Sequence, residues 1–363
     1  MKKHVIMALL LAVCVACFAA PAFAALGPIK LEDQKPTFIY VGPVGDGGYN
    51  YMHDLGRKLM EKKNPGIKSS IVESVPEGPD AERVMETAVR NGSKVIFANS
   101  FGYMDHVINV AKKHPDVYFM HCSGYKTAPN VSTYFGRMYQ PRYLSGLVAG
   151  AATKANLIGY VAAYPIPEVI RGINAFTLGV RKVNPKAKVK VVWIFSWHDP
   201  AKEKEATKAL FDAKCDTIAM HADTGGAPQA AEELGMWVIG YNCPMGKYAP
   251  TRHLVTPTWN WGMYCDYAVK KIAKGEWKSE QVWWSMKDGM VGLSEYGKAV
   301  KPETKKLVDA EKQRILSGKW DVFYGPIKGQ DGKVMVPQGK HMSDGDMLSM
   351  SWFVEGVDGN IPK

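Results

Sequence analysis

The strongest constraint on this chain's fold is an alternation that runs twice along it: a short β-branched or aromatic run, a polar loop, then an amphipathic stretch at helical spacing. Its first instance is Thr37 to Asn50, where Phe38-Ile39-Tyr40-Val41 ends in a glycine-rich turn carrying Asp46, Tyr49 and Asn50. Met52, Leu55, Leu59 and Met60 then repeat on one helical face. Strands are also expected at Ser69–Glu73, Lys94–Ala98, Val117–Cys122 and Val131–Phe135, and helices at Pro79–Asn91, Asp105–His114 and the small-residue stretch Arg142–Lys154. From Leu157 the alternation restarts and continues through Trp237–Tyr241. Strands in this order pair in parallel, with helices on both faces of the sheet. Two serial sets predict two α/β lobes, and no sequence repeat relates them.

After His253–Thr258 the helix Gly262–Lys274 has no strand partner in the second set, so the chain is expected to cross back. The lobes are read as 36–155 plus 256–288 and 156–255 plus 289–323. Residues 324–363 form a Gly- and Pro-rich tail packed on the surface, with Trp352 and Phe353 as anchors.

Lys2-Lys3-His4, the apolar stretch Val5–Ala20 and Pro21-Ala22-Phe23-Ala24 follow the order of a cleaved secretory leader, residues 1–24. A lipid anchor at Cys17 lacks the usual upstream leucine, and the apolar stretch falls short of the ~20 residues of a spanning helix. The reading is therefore a periplasmic protein released in soluble form. The formal charge of +11 is spread over helical segments among glutamates, which argues against a nucleic-acid partner. Cys122, Cys215, Cys243 and Cys265 would meet an oxidising compartment, and sequence leaves open whether they pair or stay buried as thiols.

In a parallel sheet, ligands are held beyond the carboxyl ends of the strands. Those ends present Asp46, Tyr49 and Asn50, then Asn99 and Phe101, Trp197 and Asp199, Asp223 to Gly226, and Tyr241 and Asn242. Trp259 and Asn260 follow on the return crossing. Aromatic faces with amides and carboxylates suit a planar ligand held between lobes. Chemistry is harder to assemble. Ser196, His198 and Asp199 lie too close in sequence to converge and lack a nucleophile elbow, and His121, His198 and His221 lack metal-ligand spacing. No catalytic residue, metal or cofactor is assigned.

The turn Asp46-Gly47-Gly48-Tyr49-Asn50, Ser196-Trp197-His198-Asp199-Pro200, Ala222-Asp223-Thr224-Gly225 and Val238-Ile239-Gly240-Tyr241-Asn242 resemble the basic membrane protein family of ABC-transporter substrate-binding proteins. The similarity covers nearly the whole chain after the leader. It implies the type I periplasmic-binding-protein fold, two doubly wound lobes joined by a three-crossover hinge, and a purine nucleoside as ligand. It also implies that the family's Asp-x-x-Phe-Asn turn falls on Asp46 and Asn50, with Tyr49 in place of Phe, that the aromatic stacking on the base is Trp197 and that the glycine-turn contact lies near Gly225. Relatives that hold ribose usually carry aspartate where this chain has Asn242 and lysine near Asn260, so a base is favoured over a nucleoside. The expected role is that of a monomeric receptor serving an ABC permease. A ligand sensor for a membrane kinase, or a secreted hydrolase, are the alternatives.

Overall fold

The computed structural model describes residues 26–362; the leader, with Cys14 and Cys17, lies outside the described residues. The chain runs β1 (Thr37–Ile39), α1 (Tyr49–Lys63), β2 (Ser70–Val72), α2 (Pro79–Arg90), β3 (Val95–Ala98), α3 (Met104–Lys113), β4 (Tyr118–Cys122) and β5 (Val131–Gly136). Then come α4 (Tyr139–Ala152), β6 (Leu157–Ala162), α5 (Pro167–Val183), β7 (Lys188–Trp193), α6 (Pro200–Asp212), β8 (Thr217–His221), α7 (Gly226–Leu234), β9 (Trp237–Ile239) and β10 (His253–Val255). The return passes through β11 (Pro257–Trp259), α8 (Gly262–Ala273), β12 (Gln281–Trp284), β13 (Val291–Leu293) and α9 (Pro302–Leu316). The tail holds β14 (Ile327–Lys328), β15 (Val334–Val336), α10 (Asp344–Leu348) and β16 (Val357–Asp358).

Two six-stranded sheets result, ordered β12-β5-β4-β3-β1-β2 and β10-β9-β8-β6-β7-β16, and every pairing within them is parallel. Their central strands are buried on both faces, which is why they read as continuous apolar runs. The lobes meet at the carboxyl ends of the strands, and β11 and β13 pair antiparallel where the chain crosses between them.

Two features depart from the sequence reading. The chain leaves the first lobe after β5 and not near residue 155. Helix α4 lies against α5, because Gly146 and Gly179 permit contact that a side chain would block: a Cβ on Gly146 would sit 2.1 Å from the Phe176 carbonyl, and one on Gly179 2.0 Å from that of Tyr143. The tail does more than wrap the surface, since β16 pairs with β7 and completes the second sheet. Phe353 is buried, while Trp352 is only partly so. The four cysteines of the described chain are all buried and free, so none forms a disulfide.

Candidate functional site

Between the lobes lies a slot of about 380 Å³ of atom-free space, part of it reaching solvent. Strand ends of both sheets contribute to it. From the first lobe come Val41 after β1, Asn99, Ser100 and Phe101 after β3, Ser123 after β4, and Phe135 of β5, with Tyr49 opening α1. From the second come Glu168 at the start of α5, Trp197 after β7, His221 ending β8, Asp223 beyond it, and Tyr241 after β9.

The expected residues divide into those that line the slot and those that brace it. Tyr49, Asn99, Phe101, Trp197 and Asp223 line it. Asp46 does not. Its carboxylate accepts the backbone N–H groups of Gly48 (2.8 Å), Asn50 (2.9 Å) and Tyr51 (3.0 Å), the free donors that a helix start leaves over. Asn50 donates to Asp46 (2.8 Å) and accepts from the Asn99 amide (2.9 Å), while Asn99 Oδ1 takes the Val41 N–H (3.0 Å). This relay fixes Asn99 and leaves one of its amide hydrogens uncommitted. The Tyr49 hydroxyl donates to the Asn99 carbonyl at 2.6 Å.

On the second lobe Asp199 caps α6, accepting the Lys202 N–H at 3.0 Å. Asn242 donates to Asp223 Oδ1 (2.9 Å) and accepts the Trp259 indole N–H (2.9 Å), so both act behind the slot. Gly225 faces Tyr248, whose ring a Cβ there would meet at 2.6 Å. Asn260 is exposed and donates to the Gly289 carbonyl (3.2 Å), away from the slot.

Glu168 and His221 line the slot without having been assigned to it from sequence, and they meet Tyr241, which was expected at a strand end. His221 Nε2 lies 3.1 Å from Glu168 Oε1, and the Tyr241 hydroxyl donates to the same oxygen at 3.4 Å. The Arg142 guanidinium, itself fully buried, lies 3.9 Å from the centre of the Tyr241 ring. Burial pushes the His221 imidazole down to about 4, helped by the Arg142 charge, so the ring is neutral near pH 7. Burial works against the Glu168 carboxylate, but its bond to His221 and the charges of Arg171 and Arg142 outweigh it and hold the group below its usual range. Asp223 goes the other way: burial first, then the Asp46 charge, raise it well above an ordinary carboxylate. The slot thus pairs a carboxylate held low, an acceptor of hydrogen bonds, with a carboxyl whose surroundings favour its protonated form.

Non-glycine residues with left-handed φ stand at three of these strand ends: Ser123 (φ 72°), Phe195 (φ 51°) and Asn242 (φ 68°). Such backbone costs on the order of 1–3 kcal/mol and gathers where a site requires it. Opposite them, the glycine turn of the first lobe touches the second directly. The Cys243 thiol donates to the Gly47 carbonyl, and a Cβ on Gly48 would lie 2.0 Å from the Asp223 carbonyl oxygen. The lobes are closed.

Two parallel α/β lobes, shut over a slot furnished from both sides and joined by three crossings, define the type I periplasmic-binding-protein fold. The chain belongs to the Bmp family, described as "ABC transporter substrate-binding protein PnrA-like", whose model matches residues 34–323. It is 43% identical to a purine-binding protein of Brucella abortus over 92% of this chain and 95% of that one. It is 38% identical to a putative ABC transporter glucose-binding protein of Haloferax volcanii, over 93% and 83%. The fold matches an ABC-transporter solute-binding protein of Conexibacter woesei (TM-score 0.66, 21% identity, 79% of this chain and 97% of that one). A solute-binding protein of Aeropyrum pernix matches similarly (TM-score 0.68, 18% identity, 81% and 92%). The chain is therefore a binding protein for a small molecule and not an enzyme. No helix among the described residues is long and apolar enough to cross a membrane.

Proposed function

We propose that this protein is a monomeric periplasmic receptor that captures a purine nucleobase between its lobes and presents it to an ABC permease. Tyr49, Phe101 and Trp197 supply aromatic surface from both lobes, while Asn99, Glu168 and Asp223 supply a donor, a carboxylate acceptor and a carboxyl biased towards its protonated form for the ring's polar edge. The purine-binding relative at 43% identity supports the same ligand class. The observation that carries base over nucleoside is the fate of two positions. Asn242 spends its amide on Asp223 and Trp259, and Asn260 is turned to solvent, so neither of the positions that hold ribose in nucleoside-binding relatives offers a charged partner here.

Thermal shift against nucleobases, nucleosides, glucose and amino acids tests the reading, because a ligand at 100 times its Kd adds about 2.7 kcal/mol of stability. Adenine, guanine or hypoxanthine should raise the midpoint more than the corresponding nucleosides. Stabilisation by glucose alone would transfer the chain to the ligand class named for its Haloferax relative.

A further inference from the structure

The slot does not end at its own walls. Through Phe101, Ser123, Phe135 and Glu168, which line both spaces, it opens sideways into a larger chamber of about 1460 Å³ of atom-free space, part of it reaching solvent. One wall is the sheet edge, with Tyr134 of β5 and Val282 and Trp283 of β12. Facing it are Ile166 and Arg171 around α5, and Leu348 of α10.

Helix α10 belongs to the tail, beyond the 34–323 that the family model matches, and it is firmly placed. Arg171 donates to the Met347 carbonyl (2.6 Å), and Arg137 grips Asp344 with two bonds of 2.8 and 2.6 Å. Both guanidinium groups lie over Trp283, at 4.2 Å for Arg137 and 4.9 Å for Arg171. The tail therefore completes a chamber that is built into the fold.

We infer that this chamber is an annex of the ligand slot, taking an uncharged, mainly apolar substituent of the planar molecule whose ring the slot holds. The inference rests on the planar-ligand reading above and adds to it the class of molecule: a base bearing an alkyl or aryl group. Aromatic and aliphatic side chains supply most of the annex wall. Its one guanidinium is already engaged with Met347 and Trp283, while the carboxylates of Glu168 and Asp344 would repel a phosphate.

Calorimetry with the mature chain tests this, using adenine, adenosine and adenine carrying a benzyl group at N6, C8 or N9. At least one benzyl derivative should bind tenfold or more tighter than adenine. Leu348→Ala, at a side chain exposed enough to leave the fold intact, should cut that gain at least threefold and leave adenine binding unchanged. If adenine binds and every derivative binds more weakly, or if Leu348→Ala leaves the gain untouched, the chamber is a solvent passage and the inference is overturned. If adenine itself gives no binding heat, the purine reading falls and takes this inference with it.

Discussion

Trp197 reaches the slot from the loop after β7, half-buried, with its ring 5.2 Å from that of Tyr164 and 6.4 Å from His221. A side chain so placed can present a face to a ligand while packing only at the margin of the core. Stacking of a base on an aromatic is worth about 1–3 kcal/mol by alanine substitution, so Trp197→Ala should weaken purine binding roughly tenfold or more. Urea unfolding of the ligand-free variant should stay close to wild type, whereas truncating a core tryptophan costs about 3–5 kcal/mol. A large loss of stability with unchanged affinity would place the indole in the core. Asp46 teaches the opposite lesson at the same scale: a carboxylate in a glycine turn reads as a ligand contact, yet three backbone N–H groups of the helix start claim it.

At the scale of elements, the tail is held to α5 through Asn174, which is fully buried. Its amide donates to the Trp352 carbonyl (2.8 Å) and its carbonyl oxygen accepts the Val354 N–H (3.0 Å). Asn174→Ala would orphan both backbone groups, at a cost of about 1–3 kcal/mol each. The expected result is a stability from urea unfolding lowered by roughly 2–6 kcal/mol, with faster proteolytic cutting after residue 323. Unchanged proteolysis would mean that β16 alone holds the tail. The same elements mark what sequence could and could not disclose. Strands β3, β4, β6 and β8 are apolar runs because helices cover both their faces, and the carboxyl ends of β3, β7, β8 and β9 pointed to Asn99, Trp197, Asp223 and Tyr241. Strand β12 escaped notice because it is an edge strand with one neighbour, and β16 because two residues carry no period. Glu168 was invisible for a different reason: an acidic residue in the first turn of a helix reads as ordinary dipole compensation, and only the fold brings His221 and Tyr241 to it.

For the whole molecule, the closed state depends on how near the lobes can come. Gly48 touches the Asp223 carbonyl across the cleft, leaving no room for a methyl group. Gly48→Ala should hold the lobes apart and weaken ligand binding by tenfold or more, because only the closed form completes the slot. Small-angle scattering should then show a radius of gyration that fails to contract on adding ligand, where the wild type contracts. Contraction equal to wild type would show that the turn yields and that closure does not depend on it.

That contact is made by main-chain atoms and a glycine, with the Cys243 thiol on the Gly47 carbonyl beside it. It involves none of the side chains that would read a ligand's edge. Recognition and shutting therefore fall to different atoms, side chains for the one and main chain for the other, even within Asp223. Substitutions at Glu168, Asp223 or the annex could exchange one cargo for another while the permease still meets the same shut outline, and a scaffold divided in this way can acquire new nutrients without redesigning its delivery.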